Sequence, residues 1–77
     1  MYYNVRNICI WKSGLTSIRT DRYDDMDEAL NIAQMERVDY EGLLKTDWSE
    51  VKGYVIDVEE INGNGIHTIA HMDGGIA

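Results

Sequence analysis

The four residues Asn62-Gly63-Asn64-Gly65 constrain the fold of this chain more than any others. Asn and Gly accept positive φ at low cost, so NGNG between two β-rich runs reads as a tight hairpin turn. The runs are YVIDVEEI at 54–61 and IHTIAHM at 66–72, both rich in β-branched residues. With Ile61 and Ile66 flanking the loop, alternation sets Tyr54, Ile56, Val58, His67, Ile69 and His71 on one face. Val55, Asp57, Glu59, Ile61, Ile66, Thr68, Ala70 and Met72 take the other. The closing DGGIA reads as a frayed tail.

The N-terminal segment YYNVRNICIWK is also a β-former, with Val5, Asn7, Cys9 and Trp11 on one face and Asn4, Arg6, Ile8 and Ile10 on the other. KSGL at 12–15 is a turn signal, and a two-residue Ser13-Gly14 loop leads into a second strand from Leu15 to about Arg22. That loop sets Cys9 opposite Ile18, Trp11 opposite Thr16 and Ile8 opposite Arg19. Between the hairpins, DRYDDMDEALNIAQ at 21–34 turns from acidic to apolar. Asp25 and Glu28 have the spacing of a capping box, in which the Asp25 carboxylate accepts the Glu28 amide. Asp27 and Glu28 meet the positive end of the helix dipole. Met26, Ala29, Leu30 and Ala33 follow helical spacing, with Ile32 and Met35 widening the apolar side, and predict a helix over 26–38. Gly42 interrupts it, Leu43 and Leu44 tuck under the sheet or helix, and TDWSEVKG forms a short turn capped by Thr46 or Asp47 and released at Gly53. The order β-β-α-β-β predicts an α+β fold: a single ββαββ domain with a four-stranded antiparallel sheet of two hairpins and one main helix on one face.

Seventy-seven residues form one domain. A chain this short buries only about 60% of its unfolded surface, which leaves little room for a deep pocket. One cysteine, Cys9, excludes an intramolecular disulfide and a thiolate zinc site. No signal peptide is visible, and no apolar run approaches the roughly 20 residues of a membrane span, so a cytoplasmic protein without membrane contact is expected. Fourteen acids against seven scattered bases give a net charge of −7, which disfavours direct contact with nucleic acid.

The chemistry-bearing residues exclude more than they suggest. The acids at 21, 24, 25, 27 and 28 lack the alternation and glycine turn of a calcium loop. His67 and His71 stand four apart, a zinc spacing on a helix, but on a strand they are about 13 Å apart. If both lie on the core side, they make stability pH-sensitive. Cys9 falls mid-strand on the core face, where a thiol serves as a small hydrophobe. The serines lack a G-x-S-x-G pattern, and NGNG leads into a strand rather than a helix N-terminus. The sequence thus predicts no catalytic residue, no metal ligand and no cofactor.

What remains is a protein-binding module. One helix covers one sheet face, which leaves Ile8, Ile10, Val55 and Ile61 on the other and suggests a partner or a homodimer through the open face. The acids Asp21, Asp24, Asp25, Asp27, Glu36, Asp39, Glu41, Asp57 and Glu59 are the candidate partner-binding residues, able to imitate a row of phosphates before a basic protein. In size and charge the chain is similar to phage anti-CRISPR and anti-restriction proteins, which implies an inhibitor of a nucleic-acid-handling protein. YDDMDEALNIA at 23–33 also resembles the strand-to-helix transition of HicB-type antitoxin domains, although the GGY and LPGC-like segments of that family are absent. That resemblance implies a regulatory dimer holding a small basic toxin. A small structural or enzyme-accessory subunit is the third reading.

Overall fold

The computed structural model describes residues 1–75. Strands β1 (Tyr2–Trp11) and β2 (Thr16–Tyr23) precede helix α1 (Met26–Leu44), and β3 (Val51–Asn62) and β4 (Gly65–Gly74) follow it. All pairings are antiparallel, and the sheet order is β2-β1-β3-β4. This is the ββαββ architecture the sequence predicts. The central pair, β1 and β3, carries the alternation that builds the core: Tyr3, Val5, Tyr54, Ile56 and Val58 face inward and are buried. α1 lies mainly over these two strands. Its Ala29 and Ala33 are fully buried, and such small side chains let the helix approach the sheet closely. Tyr23, Leu30, Tyr40, Leu44, Ala70 and Met72 seal the rim of this core.

Several boundaries and registers differ from the sequence expectation. The first loop has three residues, not two. Trp11 donates its N–H to the Leu15 carbonyl at 2.9 Å, and Gly14 donates back to Trp11 at φ +91°. That is the three-residue turn with a left-handed glycine. It shifts the register by one, so Ile8 faces Ile18 and Cys9 faces Ser17. A one-residue shift exchanges the faces of a strand. Ser17, Arg19 and Asp21 therefore lie on the helix side, and Thr16, Ile18, Thr20 and Arg22 on the open side.

The helix runs to Leu44, through Gly42. A glycine costs a helix about 1 kcal/mol, which packing Tyr40 and Leu44 against the core outweighs. It ends where Lys45 and Thr46 donate to the carbonyls of Gly42 and Leu43, with the Thr46 hydroxyl also donating to Gly42 at 3.0 Å. At the other end Asp25 is the N-cap residue, but its carboxylate makes no capping hydrogen bond; the capping box is not formed. Met26 and Met35 are exposed rather than part of the apolar seam.

β3 starts at Val51, so Gly53 lies inside it, beside a bulge opposite Ile10 and Trp11. The NGNG turn joins Asn62 to Gly65. Asn62 accepts the Asn64 amide on its side chain at 2.7 Å, and Gly65 alone in the turn takes a positive φ, +120°. A second bulge sits between Val58 and Glu59, where Ile69 is the extra residue. It moves Ala70 and Met72 to the core side and His71 to the open side, contrary to strict alternation. His67 pairs with Glu60 and His71 with Asp57, so the two histidines occupy opposite faces and both are exposed. Asp73 and Gly74 belong to β4 rather than to a frayed tail, and the expected fraying of residues 76–77 lies outside the described residues.

Candidate functional site

Three features of the surface are built from functional side chains. The first is the corner between β2 and α1. Asp24, Asp25, Asp27 and Glu28 are all exposed there, where the chain leaves the sheet and begins the helix. Asp24 lies 3.6 Å from Arg22. Among the described residues Asp25 and Asp27 make no ion pair or side-chain hydrogen bond. Asp27 and Glu28 retain their favourable position at the helix N-terminus. Glu59 and Glu60 pair with Asn4 and Tyr3, near the end of the sheet that carries this corner.

The second is a polar network under the C-terminal half of the helix, which the sequence reading missed. Asn7 is buried, 6% exposed, in an inward series that otherwise includes Tyr3, Val5 and Cys9. Its amide nitrogen donates to Glu36, and its carbonyl oxygen accepts the Tyr40 hydroxyl at 2.5 Å. Arg19 closes the network by donating to Glu36 at 2.7 Å and to Asp21 at 3.0 Å. Burial pushes the Tyr40 phenol up to about 12, with Cys9 and Glu36 adding to the rise and the bond to Asn7 opposing it. Burial likewise raises the Cys9 thiol, partly offset by Tyr40. Tyr40 stacks on Tyr54 with centroids 5.0 Å apart, and Tyr54 donates to Glu41 at 2.7 Å. An open groove of about 310 Å³ beside this network is lined by Cys9, Trp11, Ser17, Leu43 and Val51. The signal in the sequence was Asn7 itself: a polar residue at an inward position needs a partner.

The third is the open sheet face. Ile8, Ile10, Val55 and Ile61 are half-buried there, and Ile18 and Ile66 are 60% and 65% exposed. A polar row crosses it, in which Thr20, Arg6, Asp57 and His71 stand opposite one another. His71 bonds to Asp57 through Nδ1 and to Asp73 through Nε2 at 3.0 Å, and these carboxylates raise its imidazole above the ordinary value.

The nine predicted partner-binding acids therefore divide. Asp24, Asp25 and Asp27 stand together at the corner. Asp21 and Glu36 are engaged by Arg19, and Glu41 by Tyr54. Asp39 is exposed on the helix, at a separate shallow cavity it lines with Arg19, Glu36 and Tyr40. Asp57 and Glu59 lie on the opposite face of the sheet. Among the described residues no cluster of three His, Cys, Asp or Glu side chains could hold a metal, and no helix is long and apolar enough to cross a membrane. No family model, curated protein or solved structure significantly matches the chain.

Proposed function

We propose that the chain is a non-enzymatic protein-binding module whose acidic corner docks on a basic surface of a nucleic-acid-handling protein. One observation carries the reading. Asp25 occupies the N-cap position without using its carboxylate to cap, so it and its neighbours Asp24 and Asp27 project their charge into solvent. Carboxylates held apart by backbone geometry at a strand-to-helix corner can meet Lys and Arg side chains that otherwise hold phosphates. Inhibition by charge mimicry, of the anti-CRISPR or anti-restriction kind, is the activity this implies, with a cytoplasmic location. The burial of the one thiol, Cys9, which raises its pKa, supports the non-enzymatic part.

The test is a tagged pull-down from a nuclease-treated bacterial lysate, eluted in rising salt. A basic partner that elutes early, and that the triple variant Asp24→Lys, Asp25→Lys, Asp27→Lys fails to capture, supports the reading, because exposed charges are screened. A partner held equally by the triple variant refutes it. The antitoxin-type reading draws on a different feature, the uncovered sheet face, and calls for a small basic partner that stays bound at high salt.

A further inference from the structure

We propose that the open sheet face is closed by a second copy of the chain, in a two-fold arrangement whose axis runs along the strands between β1 and β3. The exposed face of a half-covered antiparallel sheet is ordinarily polar. This one presents Tyr2, Ile8, Ile10, Ile18, Val55, Ile61 and Ile66. Its size suits the role. Four strands of about ten residues span roughly 19 Å by 33 Å, about 630 Å² in projection and more with side-chain relief. Each partner of a stable interface buries roughly 800 Å².

The charges favour a copy of this chain over an unrelated partner. The face is basic on its β2–β1 half, with Arg6 and Arg22, and acidic on its β3–β4 half, with Asp57, Glu59 and Asp73. The proposed axis turns each half onto the opposite half of the other copy. Because Arg6 and Asp57 are direct neighbours in the register, rotation places Arg6 over the partner's Asp57, and Asp57 over the partner's Arg6. The same operation sets Ile8 against the partner's Val55, Tyr2 against the partner's Ile61 and Ile18 beside the partner's Asp73. Arg6 is exposed and has no ion pair among the described residues. Asp57 meets His71 through Oδ1, and among the described residues its Oδ2 makes no hydrogen bond or ion pair, which leaves it to receive a guanidinium. Two aligned sheets stack about 10 Å apart with strands within about 30° of each other, which this axis satisfies. The arrangement is isologous and closed, so it ends at a dimer. It is independent of the acidic corner and stands or falls separately from the charge-mimic reading.

Sedimentation equilibrium on the full chain tests it. The expected result is a mass twice the 8.8 kDa of one chain. Arg6→Glu and Asp57→Arg should each sediment as folded monomers by circular dichroism, since each sets two like-charged pairs across the axis. Their equimolar mixture should return to a dimer, because both facing pairs are then attractive. Ile18→Asp, at a position already 60% exposed and so safe for the fold, should also give a monomer by facing Asp73. A wild-type monomer up to about 0.5 mM, far above the micromolar constants of ordinary interfaces, overturns the proposal. So does a dimer indifferent to Ile18→Asp and both charge reversals, or a mixture that fails to reassociate.

Discussion

Replacing Tyr40 by Phe isolates the polar network under the helix. The ring and its stack on Tyr54 survive, and the loss is one hydroxyl that donates to Asn7 Oδ1 at 2.5 Å. Asn7 is 6% exposed, so its carbonyl has little access to water once the phenol is gone. A buried acceptor left without a donor costs about 1–3 kcal/mol. The total stability of a chain this long is only about 4–12 kcal/mol, so the variant should be clearly less stable. Urea unfolding followed by tryptophan fluorescence should give a loss of about 2 kcal/mol, and the melting temperature should fall by about 10 °C. Tyr54→Phe is the internal control. It removes a bond to Glu41, which is only half-buried and can rehydrate, so the loss should stay near 0.5–1 kcal/mol. The pH dependence supplies a second readout. The folded phenol of Tyr40 is raised to about 12 from an unfolded value near 10, so the protonated phenol contributes stability that is complete below pH 10 and lost as pH rises through about 12. Tyr23 and Tyr54 are raised as well, so the alkaline loss should flatten in Tyr40→Phe without vanishing. Equal losses in the two Phe variants, or a Tyr40→Phe loss below about 0.5 kcal/mol, would refute a sealed network around Asn7.

Three further outcomes follow from the same structure. Asp25→Ala should cost at most a few tenths of a kcal/mol in thermal unfolding, against the roughly 1 kcal/mol of an ordinary cap, because its carboxylate makes no capping bond; a full-sized loss would mean the bond forms in solution. Gly74→Ala should destabilise by about 1–3 kcal/mol, since a Cβ there would lie 2.7 Å from the fully buried ring of Tyr54 and from Glu41 Oε1; an unchanged melting temperature would show that β4 is not seated at that point. The His71 pKa is raised in the folded state, so its pairing with Asp57 and Asp73 contributes stability below the unfolded value near 6.5 that is lost as pH rises through the folded value. His71→Gln should remove that slope, and an NMR titration of His71 at or below the ordinary value would contradict it.

The architecture was legible because its signals are local and redundant. The NGNG turn, the β-branched runs around it and the Ala29–Ala33 seam each name one element, and neighbouring signals agree. The helix end was not legible, because Gly42 argues against a continuation that only the burial of Tyr40 and Leu44 justifies. The acidic corner was half legible. Its exposure follows from the sequence, whereas the idle Asp25 carboxylate depends on geometry that no spacing rule contains.

Which side chains share a face was the least legible property, and both candidate surfaces depend on it. A third loop residue, Lys12, joins Ser13-Gly14 and places Ile18 beside Ile8 and Arg19 beside Glu36. The extra residue Ile69 places Met72 in the core and His71 beside Asp57. In a period-two structure one residue reverses every position beyond it, so a strand can be identified correctly while its faces are exchanged. In both hairpins tertiary packing decides the matter. Arg19 on the open face would leave Glu36 with the Asn7 amide as its one donor and without a counter-charge, and Met72 on the open face would leave the rim of the core short of an apolar side chain. The single-residue irregularities are thus what separates the helix-side network from the apolar, charge-divided face. Removing one of them, by inserting or deleting a residue at Ile69, should disturb the sheet face and the core together.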